Sequence, residues 1–417
     1  MEEWKTGRLE DWRDGRLVSL TVVVLILLAS CAPRPALNSA PLPDVDPRFT
    51  TPASSPISSS LSTSSPIAAP ASPTASPRFP STPAPERRSP SPLPNTQAPQ
   101  PITTLLFTGV IVPARCVEAA IDERRDPDYP YAEVSEVISA ADLAVGTLNA
   151  TISDYPAHTG CTSTYLLVGS SENADALARA GFDVMSVATN HIKNCGLTNC
   201  GDRAFFDTLD NLRRVGIIPV GAGDKLAAAM QPVVVTLNGV RFGIVSLGQI
   251  EAQTFASEDS AGIAVLDENN LRAAIAAARQ VSDVVIAMPH WGPEDVATPN
   301  WIQRGLARVA VEAGADLVVG NHTHVVQAIE QIDSVKVFYG LGNFVFDQNW
   351  ALDHMQGVIL EVIFEGEHYA GYQFIPTHVD WDGRVHLAGE VEANEILARI
   401  QAVSASLAPY PVSSPAP

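Results

Sequence analysis

An α/β fold is predicted for residues 102–405, and two observations predict it. Between Leu105 and Val319, short runs rich in Val, Ile and Leu alternate with segments whose apolar residues recur at helical spacing. That alternation argues for βα units with much parallel pairing. Beyond Lys336 the pattern turns to strands joined by short polar turns, closed by one helix.

The elements follow in order. Residues 105–112 read as the first strand, 131–141 as helical in period and 143–148 as a strand. A helix at 173–180 precedes a strand at 182–188, and a helix at 203–214 precedes a strand at 217–220. Residues 233–237 and 241–247 read as neighbouring strands, because Asn238-Gly239 between them is a strong hairpin-turn pair. An Ala-rich helix at 271–279 leads to a strand at 284–288, and a helix at 302–313 leads to a strand at Leu317. Strands at 337–339, 357–364, 369–377 and 385–387, with a turn at Asp382-Gly383, precede a helix at 392–402. Residues 406–417 are expected to be a disordered tail.

Composition narrows the rest. The 417 residues carry a net charge of -20, which argues against a nucleic-acid binder, since phosphate recognition needs a basic face. Residues 1–31 read as a secretory leader: the apolar run Leu20–Leu28 follows Arg13 and Arg16 and is short for a spanning helix. Leu28-Ala29-Ser30-Cys31 resembles the bacterial lipobox, which implies lipid attachment at Cys31 and an extracytoplasmic, membrane-anchored lipoprotein. An ordinary signal anchor is the alternative, and the acidic residues among the leading charges favour it. Residues 32–101, dominated by Pro, Ser, Thr and Ala, cannot bury enough apolar area to offset their chain entropy and read as a disordered stalk. Four further cysteines remain: Cys116, Cys161, Cys195 and Cys200. Outside the cytoplasm an even number suggests disulfides, Cys195 with Cys200 and Cys116 with Cys161. An all-cysteine zinc site is the alternative, although the first two lack CxxC spacing.

Gly320-Asn321-His322-Thr323-His324 follows the apolar run 315–319. In an extended chain His322 and His324 would point to one face and offer two nitrogen ligands. Other predicted strands end in the same kind of residue: 184–188 in Thr189-Asn190-His191, 284–288 in Pro289-His290 and 143–148 in Asn149. In open α/β sheets sites form at the carboxyl ends of strands, so these side chains are expected to converge on one crevice.

Taken together, these motifs resemble those of the CapA family of poly-γ-glutamate capsule biosynthesis. The resemblance rests on His290-Trp291-Gly292 with Glu294, Pro299 and Gln303, on 313–316 with His322, His324 and Gln327, on 340–348 and on 188–191 with Gly196. It implies a calcineurin-like metallophosphoesterase fold, an α/β/β/α sandwich of two mixed sheets flanked by helices. It also implies metal ligands at Asn190, His290, His322 and His324. His191 would serve as an acid or electrostatic stabiliser, and Arg115, retained in the first block, joins it as a candidate catalytic residue. Capsule-synthesis membrane proteins and an envelope polymer are the partners it implies.

The acidic members of the pattern are missing. Val110 stands at an Asp position, Asn149 at a Glu position and Asn194 where Asp is common. Without a bridging carboxylate two divalent ions would repel strongly. The expectation is one Zn²⁺ or Mn²⁺ on Asn149, Asn190, His290 and His322, or no metal, unless Asp154 or Glu294 compensates. Three readings follow: a non-catalytic lipoprotein in capsule-polymer synthesis, export or anchoring; a metal-dependent hydrolase of a phosphoester or amide; or a purely structural domain.

Overall fold

Two mixed sheets lie face to face in the computed structural model, which describes residues 100–410 apart from 156, 197 and 198. The expected leader with Cys31, the expected stalk up to residue 99 and residues 411–417 lie outside the described residues.

The first sheet has the order Val385–Leu387, His368–Val379, Gln356–Glu365, Ile102–Ile111, Leu143–Leu148, Val184–Ser186 and Ile218–Val220, with Asn343–Val345 pairing off Ile102–Ile111. Its half from Ile102–Ile111 to Ile218–Val220 is parallel, and the remaining long strands are antiparallel. The second sheet has the order Ile329–Ile332, Val335–Phe338, Leu317–Val319, Val284–His290, Val240–Gly248 and Val233–Leu237. Its four central strands are parallel and each edge strand is antiparallel. Asn238 and Gly239, both at positive φ (51° and 87°), make the hairpin turn expected between the last two.

Side-chain alternation builds the layers. Leu105 and Phe107 point between the sheets, where they pack with Ile244, Ile286 and Leu317 of the opposite sheet. Leu106 points outward into a cluster with Val117, Ile121, Leu177 and Leu209 from the covering helices. On the second sheet Val284, Ile286 and Met288 face inward, while Val285 and Ala287 face Leu271, Ile275 and Ala307 of helices Glu268–Val281 and Trp301–Ala313. Strands covered on both faces read as continuous apolar runs, which is why they were visible in the sequence. The Phe242 and Phe364 rings meet edge to face across the inter-sheet space at 5.3 Å. The α/β/β/α sandwich is therefore observed.

Some elements differ from expectation. Residues 131–141 do not form one helix: a single turn, Tyr129–Tyr131, is followed by Ser135–Ser139, because the backbone leaves helical geometry at Val134 (φ -121°). A helix at Cys116–Arg124 was not expected; its buried face includes Glu118 beside Val117, Ala120 and Ile121, which obscures the apolar period. The last helix extends over Glu390–Ala405, and the chain stays attached beyond it. Arg304 donates to the Ala408 carbonyl (2.8 Å), and the Arg308 guanidinium lies 4.5 Å from the Tyr410 ring centre. The structure holds disulfides Cys116–Cys161 and Cys195–Cys200, the expected pairing, which removes the all-cysteine zinc alternative. Among the described residues no helix is long and apolar enough to cross a membrane.

Candidate metal centre

The carboxyl ends of the central parallel strands deliver the polar residues. Leu143–Leu148 leads to Asn149, Val184–Ser186 to Asn190 and His191, and Leu317–Val319 to His322 and His324, while Val284–His290 ends on His290 itself. Two backbone bonds lock the last two together: Asn321 N–H donates to the Pro289 carbonyl and Trp291 N–H to the Asn321 carbonyl, both at 3.0 Å. The Asn321 amide crosses to the other sheet and donates to Thr147 Oγ1 (2.8 Å).

Two donor atoms flank a third there. His290 Nε2 lies 3.1 Å from Asn190 Oδ1 and 3.2 Å from His322 Nδ1. One proton on His290 Nε2, shared between the two, satisfies this arrangement without a cation. With bonds of about 2.0–2.1 Å, adjacent ligands on a coordination tetrahedron stand about 3.3 Å apart, so the same spacing also fits one first-row cation. His290 Nδ1 is buried without a partner. Burial, reinforced by the neighbouring imidazoles, holds His290 well below its usual pKa and pushes His322 down to about 3. His324 falls to about 4 for the same first reason, with its hydrogen bond to Asn343 opposing. All three rings are thus neutral lone-pair donors at neutral pH, as a metal requires.

The other sequence candidates take separate places. His324 is tied through Nδ1 to Asn343 Oδ1 (2.8 Å), and its ring centre is 6.0 Å from that of His322. The two rings are neighbours, but not through an extended chain: both residues have left-handed backbone, φ 106° at His322 and 61° at His324, because the chain turns away at the strand end. Asn149 turns its Oδ1 to the His191 N–H (3.2 Å), so this oxygen supports the neighbouring loop. Its Nδ2 is buried without a partner. Asn194 Oδ1 accepts from Leu167 N–H (2.8 Å) and lies 3.0 Å from His191 Nδ1, which places a proton on that nitrogen. Burial lowers the His191 pKa. Val110 is fully buried in an apolar cluster and offers no oxygen.

Arg115 is fully engaged. Its guanidinium pairs with Asp347, donates to the Thr164 carbonyl (2.8 Å) and lies 4.8 Å from the centre of the Phe346 ring. Phe346 in turn packs against His324 at 5.4 Å. Arg115 therefore positions the wall of the crevice.

Of the two carboxylates considered as compensating groups, Asp154 is held elsewhere, accepting from the Ser171 N–H (2.8 Å) and hydroxyl (2.7 Å). Glu294 faces the crevice, with Oε1 3.9 Å from Nε2 of both His322 and His324. The loop that aims it is built from the rest of its motif. Trp291 donates to the Tyr339 carbonyl (2.9 Å) and stacks on that ring. Gly292, at φ 86°, has no room for a Cβ against the buried Gln303 amide. Gln303 donates to Gln327 (2.8 Å), which donates to the Val296 carbonyl (2.7 Å). Asn321 and Asn343 escaped the strand-end reading because they hold the ligands rather than extend a His pattern.

Residues 104–348, more than half of the chain, match the sequence profile of the family described as bacterial capsule synthesis protein PGA_cap. The chain belongs to this family. It is similar to the PGA biosynthesis protein CapA of Bacillus subtilis strain 168, with 30% identity over 246 residues, 58% of this chain and 63% of that one. It is similar to the capsule biosynthesis protein CapA of Bacillus anthracis, with 30% identity over 256 residues, 59% of this chain and 60% of that one. The match thus spans less than two thirds of either relative. Among solved structures, a phosphatase of Mycoplasma pneumoniae aligns at a TM-score of 0.43 with 10% identity, over 66% of this chain and 94% of that one. A 5'-nucleotidase precursor of Thermus thermophilus aligns at 0.41 with 14% identity, over 72% and 58%. In this PGA_cap chain the matched region contains every residue of the crevice from Arg115 to Asp347.

Proposed function

We propose that this chain is an accessory protein of envelope-polymer synthesis whose crevice holds one divalent cation, Zn²⁺ or Mn²⁺, and binds an anionic group of a polymer of the poly-γ-glutamate kind. The observation that carries the reading is that Asn190 Oδ1 and His322 Nδ1 both stand within 3.2 Å of His290 Nε2. Glu294 faces the crevice, but the two positions where the family pattern carries bridging acids hold Val110, which is apolar, and Asn149, whose oxygen is committed to the His191 backbone. That favours one cation over two.

The chain's own residues define what happens around it. Arg115, anchored by Asp347, packs on Phe346, which in turn packs against His324. His191 holds a proton on Nδ1 beside Asn194. A bound cation would polarise a phosphoryl or carbonyl oxygen. Family membership supports a place in capsule synthesis. The leader, the Cys31 lipobox and the stalk support an anchored, extracytoplasmic lipoprotein, and the two disulfides fit an oxidising compartment. Membrane-bound synthesis proteins are then the natural partners.

The test compares metal content and polymer retention in the parent chain and in a His290→Ala/His322→Ala variant. The variant is expected to hold one equivalent fewer of Zn²⁺ or Mn²⁺ and to lose metal-dependent retention of poly-γ-glutamate. Equal metal content and equal retention would sink the reading.

A second reading, a hydrolase of a phosphoester or amide in the polymer, is favoured by Glu294 standing 3.9 Å from two of the imidazoles. Chelator-sensitive turnover that disappears in Glu294→Gln would establish it in place of binding alone.

A further inference from the structure

The helix Cys116–Arg124 carries a buried carboxylate that the crevice does not use. Glu118 is 1% exposed, and Asp122, one turn on, shares its side of the helix. His158 arrives from a separate loop, and the Cys116–Cys161 disulfide ties that loop to the first residue of the helix. One ligand atom from each of Glu118, Asp122 and His158 lies within 4.8 Å of the others, and His158 Nδ1 is 3.4 Å from Glu118 Oε1.

The surroundings point to a ligand. Ser170 N–H (3.1 Å) and the Asn173 amide (2.7 Å) donate to Glu118. Asn173 is 1% exposed; its amide nitrogen, which meets Glu118, also donates to the Ser170 carbonyl (3.2 Å), and its Oδ1 has no hydrogen-bond partner. The Tyr131 hydroxyl is also buried without one. Burial raises the Glu118 carboxyl above its usual range, so hydrogen bonds from neutral donors only partly offset the loss of water.

We propose that Glu118, Asp122 and His158 form a second divalent-cation site, assembled by the Cys116–Cys161 disulfide. Two carboxylates balance the charge of one divalent ion, and the mixed oxygen and imidazole set suits Zn²⁺ or Mn²⁺. Asp122 is exposed, which leaves the site open to solvent on that side. The polar donors on Glu118 already orient it, as outer-shell partners do for ligating carboxylates. The disulfide makes the site conditional: without it the loop carrying His158 has no covalent tie to the helix carrying the other two ligands.

Zn²⁺ titration by calorimetry tests this in the full chain carrying His290→Ala and His322→Ala, which silences the crevice. One ion per chain is expected. Adding His158→Ala is expected to weaken binding by more than about tenfold, as is adding Cys116→Ser with Cys161→Ser. Adding His368→Ala at an exposed surface histidine is expected to leave it unchanged. His158 is partly exposed, so its variant is expected to fold, and circular dichroism checks this. No binding in the crevice-silenced chain, or binding undiminished by His158→Ala, would overturn the proposal. Either result would leave the metal difference tested at the crevice untouched, because that experiment reads His290 and His322.

Discussion

His322 and His324 are neutral in the fold because burial opposes their charging, with pKa values of about 3 and about 4 against 6.5 in the unfolded chain. Above pH 6.5 both states are neutral and nothing is lost. Below it the unfolded chain binds protons that the fold refuses, so stability falls as pH drops from 6.5 toward 4. The slope is up to about 1.4 kcal/mol per pH unit for each imidazole. Thermal melts of the metal-free chain are expected to show a flat Tm above pH 7 and a steady fall between pH 6.5 and 4.5. A His322→Asn/His324→Asn variant is expected to show a shallower fall, and an unchanged slope would contradict the assignment. At this scale the sequence showed the histidines, since each follows a readable apolar run. It did not show that Glu294 faces them, because its direction is set by the backbone at Gly292 and by the buried Gln303–Gln327 pair.

Helix Trp301–Ala313 illustrates the element scale. Asn300 caps it: its side chain accepts from Gln303 N–H (2.9 Å), and Gln303 Oε1 accepts in return from Asn300 N–H (3.0 Å). The same Gln303 reaches Gln327 and so supports the loop that carries Glu294. Asn300→Ala is expected to cost about 1 kcal/mol, read from the urea midpoint. It is also expected to weaken metal binding at the crevice only slightly, because Gln303 keeps its bond to Gln327. Helices of this kind were legible because their apolar residues recur on one face and a polar cap precedes them. Cys116–Arg124 was not, since a carboxylate occupies its buried face, and a sequence pattern scores that position as solvent-facing. The short strand Asn343–Val345 also escaped, as three residues carry too little alternation to register and its pairing with Ile102–Ile111 is set by the tertiary fold.

The whole molecule combines an acidic chain, net charge -20, with a crevice whose wall carries Arg115 already neutralised by Asp347. Attraction for a polyanion would therefore come from the bound cation rather than from surface charge, and retention of poly-γ-glutamate is expected to respond to chelators more than to salt. The sandwich was inferable from alternating patterns in the first part of the folded region and from strands in the second. The pairing of the two halves of each sheet was not, because antiparallel additions at the edges leave no local signature. The proposed anchoring belongs to this scale too. Cys31→Ala in the producing cell is expected to move the protein from the membrane fraction to the soluble or secreted fraction. Unchanged membrane retention would count against the lipid anchor.

The left-handed backbone at His322 and His324 gives those positions a second job besides holding a ring. Residues with a Cβ resist that geometry by roughly 1–2 kcal/mol, and Asn or Gly resist it less. An alanine scan across the loop therefore confounds two losses, the imidazole and an acceptable turn. Substituting Asn and Ala in parallel separates them, since the difference between the two reads the conformational share. It also suggests how such a site decays under drift. Asn and Gly are the replacements the chain tolerates first, so a relative that has given up its ligands here would be expected to keep the turn and show one of those two residues in place of each histidine.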